Sequence, residues 1–294
     1  MQIGVCLPHY GQAMDPAGMR TFAERVESLG FDSIWVTDHV IVPKGLDIIY
    51  KERMLDPLAT LSYLAGVTNT VRLGTSVLIL PYRNPVIVAK ELATTDVLSG
   101  GRVIFGAASG WMEGEFAALG ADFANRGAVT DEYLQIITAI WSRAEPEVKT
   151  EHFDIRGVVA SPEPAQRPRP PIWIGGQSPP AARRAIAFGD VWHPNLPSWE
   201  VVEGATRYLA ELSAKAGRAQ PPRLATRAAV NFDVPPPEGA RPGLFGAPEQ
   251  MAATARRFEA AGVSHLLLNW RDMPFVDVLA EMERFGTEVL PQAR

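Results

Sequence analysis

The sequence predicts an α/β fold, a closed (β/α)8 TIM barrel with insertions, on three observations. Short apolar runs alternate with helical patterns from end to end, the runs number eight, and several helical patterns close on glycine, as in Leu29-Gly30, Ser99-Gly100 and Ala261-Gly262. The strand candidates are Ile3–Leu7, Ser33–Thr37, Arg72–Leu78, Arg102–Gly106, Ile172–Gly175, Asp190–His193, Leu224–Phe232 and His265–Trp270. The first helix, Pro16–Leu29, carries Met19, Phe22, Ala23, Val26 and Leu29 at the spacing of one helical face. The others are Pro57–Val67, Pro85–Leu98, Asp131–Trp141, Ala181–Phe188, Glu200–Ala216, Pro248–Ala261 and Val276–Leu290. Two proline-rich stretches interrupt the alternation. Ala144–Pro170 reads as an excursion with a short extra strand near Thr150–Ile155, and Pro235–Pro248 as a lid or disordered loop after strand seven. Neither has the character of a domain boundary, so 1–294 reads as a single domain with insertion segments near 144–170 and 235–248.

Composition narrows the function classes. The chain has 294 residues, 47% of them hydrophobic, and a formal net charge of −5. Its basic residues are dispersed, which gives nucleic acid no stripe to follow. No run approaches the ~20 apolar residues of a membrane span, and the N-terminus lacks a basic segment followed by an apolar one. The expectation is a cytoplasmic protein acting on a small molecule, without a membrane or nucleic-acid partner. The one cysteine, Cys6, lies inside the first strand and reads as core.

Chemistry in a parallel barrel collects at the C-terminal strand ends. Strand two ends Trp35-Val-Thr-Asp-His39; adjacent residues face opposite sides, so Asp38 and His39 do not form a simple pair. His39 suits proton donation near neutral pH, against the plainer alternative of a satisfied rim histidine. Strand three ends in Thr75 and Ser76, whose hydroxyls suit a heterocycle's edge or, more simply, β propensity and small-residue packing. Strand four runs into Gly106, Ala107, Ala108, Ser109 and Gly110, small enough for a ligand to approach, and then Trp111. Glu113 and Glu115 read as solvated helix charges, and Arg126 as a phosphate ligand or a surface ion pair. Strand six ends with Trp192 and His193. In strand five, Gly175-Gly176-Gln177 leads into Ser178, an N-cap, and Pro179-Pro180 at the first helical positions; the orphan amides there suit a phosphate. No histidine pair has metal-ligand spacing and no Gly-x-Ser-x-Gly elbow is present, which leaves neither a metal centre nor a serine hydrolase.

In order and spacing, several segments together resemble the luciferase-like monooxygenase superfamily, and most closely its F420-dependent oxidoreductase branch. They are Phe31–His39, Arg72–Val77, Arg83–Thr94, Leu98–Arg102, Gly110–Phe116, Arg126–Tyr133, Pro170–Ser178 and Gly189–Pro194. The resemblance implies coenzyme F420 at the strand C-termini, its phosphate on Gly175, Gly176 and Gln177 and its ring near Asp38, His39, Thr75, Ser76 and Gly106–Gly110. It also implies a non-prolyl cis peptide around Thr75-Ser76 and a homodimer. Trp111 stands where some relatives carry a glutamate acid, which leaves the acid role to His39. The substrate would lie among Trp35, Trp111, Trp192 and His193. FMN, in a flavin monooxygenase on the same barrel, is the alternative cofactor, since both present a phosphate; Lys44, Lys51, Arg53 and Arg83 are the rim cations that an acidic F420 tail would meet.

Overall fold

The computed structural model describes residues 1–9, 15–45, 54–270 and 273–294. Eight parallel strands close a barrel in the order β1 (Gln2–Cys6), β2 (Ser33–Val36), β3 (Arg72–Thr75), β5 (Val103–Ala108), β8 (Ile172–Gly175), β9 (Val191–His193), β10 (Arg223–Phe232) and β12 (Val263–Asn269), with β12 returning to β1. All eight coincide with the expected strands. A two-residue strand, β4 (Leu78–Ile79), continues the third position against Ala107 and Ala108.

Helices pack on the outside: α1 (Pro16–Ser28), α2 (Pro57–Val67), α3 (Pro85–Leu98), α4 (Glu113–Leu119), α5 (Arg126–Ser142), α6 (Pro179–Phe188), α7 (Trp199–Lys215), α8 (Pro248–Ala260) and α9 (Phe275–Arg284). Proline at the first helical position costs no hydrogen bond, and the residue before it caps. Asp56 thus accepts from the amides of Leu58 (2.9 Å) and Ala59 (3.0 Å), and Asn84 does the same for α3. α5 begins five residues before the expected Asp131, because Arg126 and Gly127 already wind into it. The last helix is not continuous. It passes through a π-helical turn at Phe285–Val289, where Gly286 lies so close to Leu29 that a Cβ would come within 3.0 Å of it.

Side chains alternate between the lumen and the helix layer along each strand. Trp35, Ile104, Trp173, Val191, Ala225 and Leu267 fill the lumen with Cys6, and the Trp35 and Trp173 rings lie 4.3 Å apart. Gly74 makes room for the Trp35 ring, which a Cβ there would meet at 2.3 Å. The first excursion contains a small antiparallel hairpin, β6 (Val148–Lys149) with β7 (Asp154–Ile155). The second contains a strand where a loop was expected: β11 (Gly243–Gly246) pairs in parallel with Ala229–Phe232, because β10 runs past the barrel and leaves that edge to be covered. Among the described residues, no helix is long and apolar enough to cross a membrane.

Candidate active site

His39, at the C-terminal end of β2, is 7% exposed and donates from Nδ1 to Glu115 Oε2 at 2.8 Å. A carboxylate only accepts, so this contact fixes the proton on Nδ1 and leaves acid–base exchange to Nε2. The same carboxylate accepts from Tyr82 Oη (2.9 Å) and from the amides of Val40 (2.5 Å) and Ile41 (3.2 Å). Burial alone would raise the Glu115 pKa; these donors, His39 foremost, outweigh it and hold the group below the usual carboxylate range. Glu115 is fully buried, which corrects its reading as a solvated helix charge; Glu113 is the exposed one. Trp111, 54% exposed, presents its ring edge-on to His39 with centroids 6.2 Å apart.

Asp38 faces the other way, as strand alternation requires. It takes a bidentate contact from Arg83 (2.6 and 2.9 Å) and accepts from the amide of Ile79 (2.9 Å). Arg83 also reaches Asp56; burial opposes its charge, but the two carboxylates outweigh burial and raise its pKa. Asp38 is therefore occupied in holding the strand-three loop rather than presented to a cofactor, and Arg83 is not a spare rim cation. Lys44 is exposed; Lys51 and Arg53 fall outside the described residues.

A second buried network crosses the lumen. Arg227 on β10 donates from Nε to Ser76 Oγ at 2.9 Å and from a terminal nitrogen to the Ser76 carbonyl. The Ser76 hydroxyl then donates to His193 Nε2 (2.7 Å), whose Nδ1–H donates to the Ala225 carbonyl (3.2 Å). Burial, reinforced by the Arg227 charge, depresses the His193 pKa to about 3. His193 is thus a neutral acceptor, unable to serve as an acid. Two residues on from Trp35, the lumen-facing Thr37 has a buried hydroxyl without a partner among the described residues. The non-prolyl cis peptide is present one bond later than expected, between Ser76 and Val77.

Other expected site residues are placed elsewhere by strand parity. Trp35 fills the barrel core, and Trp192 points to the helix layer, donating to the Gly176 carbonyl (2.8 Å) and packing on Tyr208, so neither walls a substrate pocket. The Thr75 hydroxyl donates to the Gly106 carbonyl (2.7 Å) and accepts from its amide (2.9 Å), which leaves it no proton to donate to a ring. The backbone that approaches Gly106 is that of Thr75, whose oxygen a Cβ would meet at 1.9 Å. Ala107 is fully buried on the outer face, while Ala108, Ser109 and Gly110 remain partly accessible at the rim. Arg126 lies over the Phe123 ring and bonds to its carbonyl.

The turn after β8 is as the residues indicated: Gly176 has φ +116°, Ser178 accepts from the Ala181 amide, and Gln177 to Pro180 are exposed. α6 is held from outside by Arg184, which grips Asp131 (2.6 Å) and the Gly127 carbonyl (2.9 Å) of α5. A ring with a phosphate tail fits these residues. The Thr37 hydroxyl and the guanidinium hydrogens that Ser76 leaves over are partners for a heterocycle's edge, and the turn amides of Gln177 and Ser178 for a phosphate, since Pro179 and Pro180 carry no N–H and Ser178 takes the amides of Ala181 and Ala182. Sequence reasoning missed Arg227, although an arginine at a lumen position of an apolar strand is the signal that identifies it. Among the described residues, no cluster could hold a metal ion.

Comparison with known proteins places this arrangement. The luciferase-like monooxygenase family model matches residues 1–234. An FMNH(2)-dependent dimethylsulfone monooxygenase from Pseudomonas putida is 27% identical, over 79% of this chain and 76% of that protein. An F420-dependent glucose-6-phosphate dehydrogenase from Amycolatopsis mediterranei is 32% identical, over 60% of this chain and 52% of that one. The structure of an F420-dependent secondary alcohol dehydrogenase with an F420-acetone adduct superimposes with a TM-score of 0.83, covering 100% of this chain and 99% of that one at 22% identity. Flavin and deazaflavin both occur among these similar proteins. The chain belongs to the luciferase-like monooxygenase family.

Proposed function

We propose that this protein is an oxidoreductase that passes a hydride between F420 and a small organic substrate at the barrel mouth. The observation that carries the reading is the His39–Glu115 pair. Reducing a carbonyl by hydride leaves an alkoxide that needs one proton, and oxidising the alcohol returns it. His39, with Nδ1 committed to Glu115, exchanges that proton at Nε2. Bound F420 would supply or accept the hydride. Glu115 orients the imidazole, Trp111 shields it from water on one side, and the turn amides of Gln177 and Ser178 would hold the phosphate. The Ser76–His193–Arg227 network would take the ring's inner edge.

A second reading is an FMN-dependent monooxygenase. It is favoured by the likeness to the FMNH(2)-dependent enzyme, which extends over more of the chain than the likeness to the F420-dependent dehydrogenase. Parallel titrations with F420 and FMN, followed by mixing each anaerobically reduced complex with oxygen, separate the two. Tight F420 binding with a complex inert to oxygen is expected. Tight FMN binding with rapid oxygen consumption would establish the monooxygenase and overturn the hydride-transfer reading.

A further inference from the structure

Arg227 is 7% exposed, and no carboxylate pairs with it among the described residues. It extends from β10, the seventh barrel position, across to Ser76 after β3, the third, so its guanidinium lies over the lumen. Two of its five hydrogens are used by Ser76, and Nη1 has no acceptor among the described residues. Among the described residues, the mouth carboxylates Asp38 and Glu115 are already committed, Asp38 to Arg83 and Glu115 to His39 and its neighbours. A buried guanidinium without a counter-charge is costly. The neutral His193 beside it accepts from the Ser76 hydroxyl and adds no charge.

We propose that Arg227 is the receiving group for the anionic pyrimidine edge of a flavin or deazaflavin ring, an inference that rests on reading the mouth as such a cofactor's site. Both rings carry delocalised negative charge along an N–C=O edge in one of their working states, and a planar guanidinium matches that edge with two parallel N–H bonds. A fixed cation there favours the charged over the neutral ring and so tunes its redox balance. Ser76, its hydroxyl donating in turn to neutral His193, holds Arg227 in place without cancelling its charge.

The test uses the whole protein and FMN as probe, with F420 in parallel. The readout is the ratio of affinities for reduced and oxidised FMN, taken from the potential of bound cofactor against reference dyes; for F420 it is the pH at which the bound ring loses its proton, followed by absorbance. The wild-type protein should bind reduced FMN at least about tenfold more tightly than oxidised FMN and lower the pH of the F420 transition. R227Q should lose about tenfold of that preference, and R227K, which keeps the charge, should retain most of it. A wild-type ratio at or below one overturns the proposal whether or not the variants fold. An unchanged ratio in folded R227Q also overturns it, leaving Arg227 as a brace for Ser76. Failure of the wild-type protein to bind either cofactor removes the reading of the mouth along with the proposal, and so differs from the case in which a cofactor binds without charge preference.

Discussion

The Glu115 carboxylate collects His39, Tyr82 and two backbone amides, so it sets both the tautomer and the direction of the imidazole. Removing the imidazole and removing its anchor should therefore have related but separable effects. H39A should lower turnover by on the order of 10²–10⁴-fold, the range of general acid–base catalysis, with cofactor affinity spared. E115Q should lower turnover by at least about tenfold, because a glutamine can donate to Nδ1 and admit the wrong tautomer. Steady-state kinetics with a cofactor titration decide this, and unchanged turnover in H39A would remove His39 from the chemistry. His39 was legible from its strand end, whereas its partner was not. Glu115 lies on a short helix among alternating charges, and only the return of α4 over the β2 loop, 76 residues away, shows that its carboxylate is buried.

At the scale of elements, β3 and β5 meet more closely than an ordinary ladder allows. Thr75 uses its hydroxyl for both polar groups of Gly106, whose missing Cβ is what permits the contact. G106A forces those strands apart and should cost about 3 kcal/mol, the upper range for overpacking, measured by denaturant unfolding. A loss within ~0.5 kcal/mol would mean that the strands give way freely. The strands and most helices were legible because apolar period, proline starts and glycine stops are local signals. Face was the harder quantity. Trp35 and Trp192 were placed near the rim from their position in sequence, yet parity sends one into the core and the other to the helices. β11 was hidden by the surrounding prolines and glycines, since its pairing depends on how far β10 overshoots the barrel.

For the whole molecule, the buried histidines make stability depend on acid. His193 and His265 both have pKa values depressed to about 3, chiefly by burial, with nearby arginines adding to it. In the unfolded chain each titrates near 6.5, so below that pH the unfolded state binds protons that the native state refuses. Each histidine should thus remove about 1.4 kcal/mol of stability per pH unit as the pH falls from ~6.5 toward 3. Unfolding curves from pH 7 to 5 check this; stability that is flat over that interval would contradict the burial of both rings.

The contact between the indoles of Trp35 and Trp173 has a further consequence. They lie sealed from solvent, in the lumen directly beneath the Ser76–His193–Arg227 network. A chromophore seated above them, absorbing where indole emits, would draw off their excitation at short range. The barrel core thereby doubles as an optical gauge of whether its own mouth is filled.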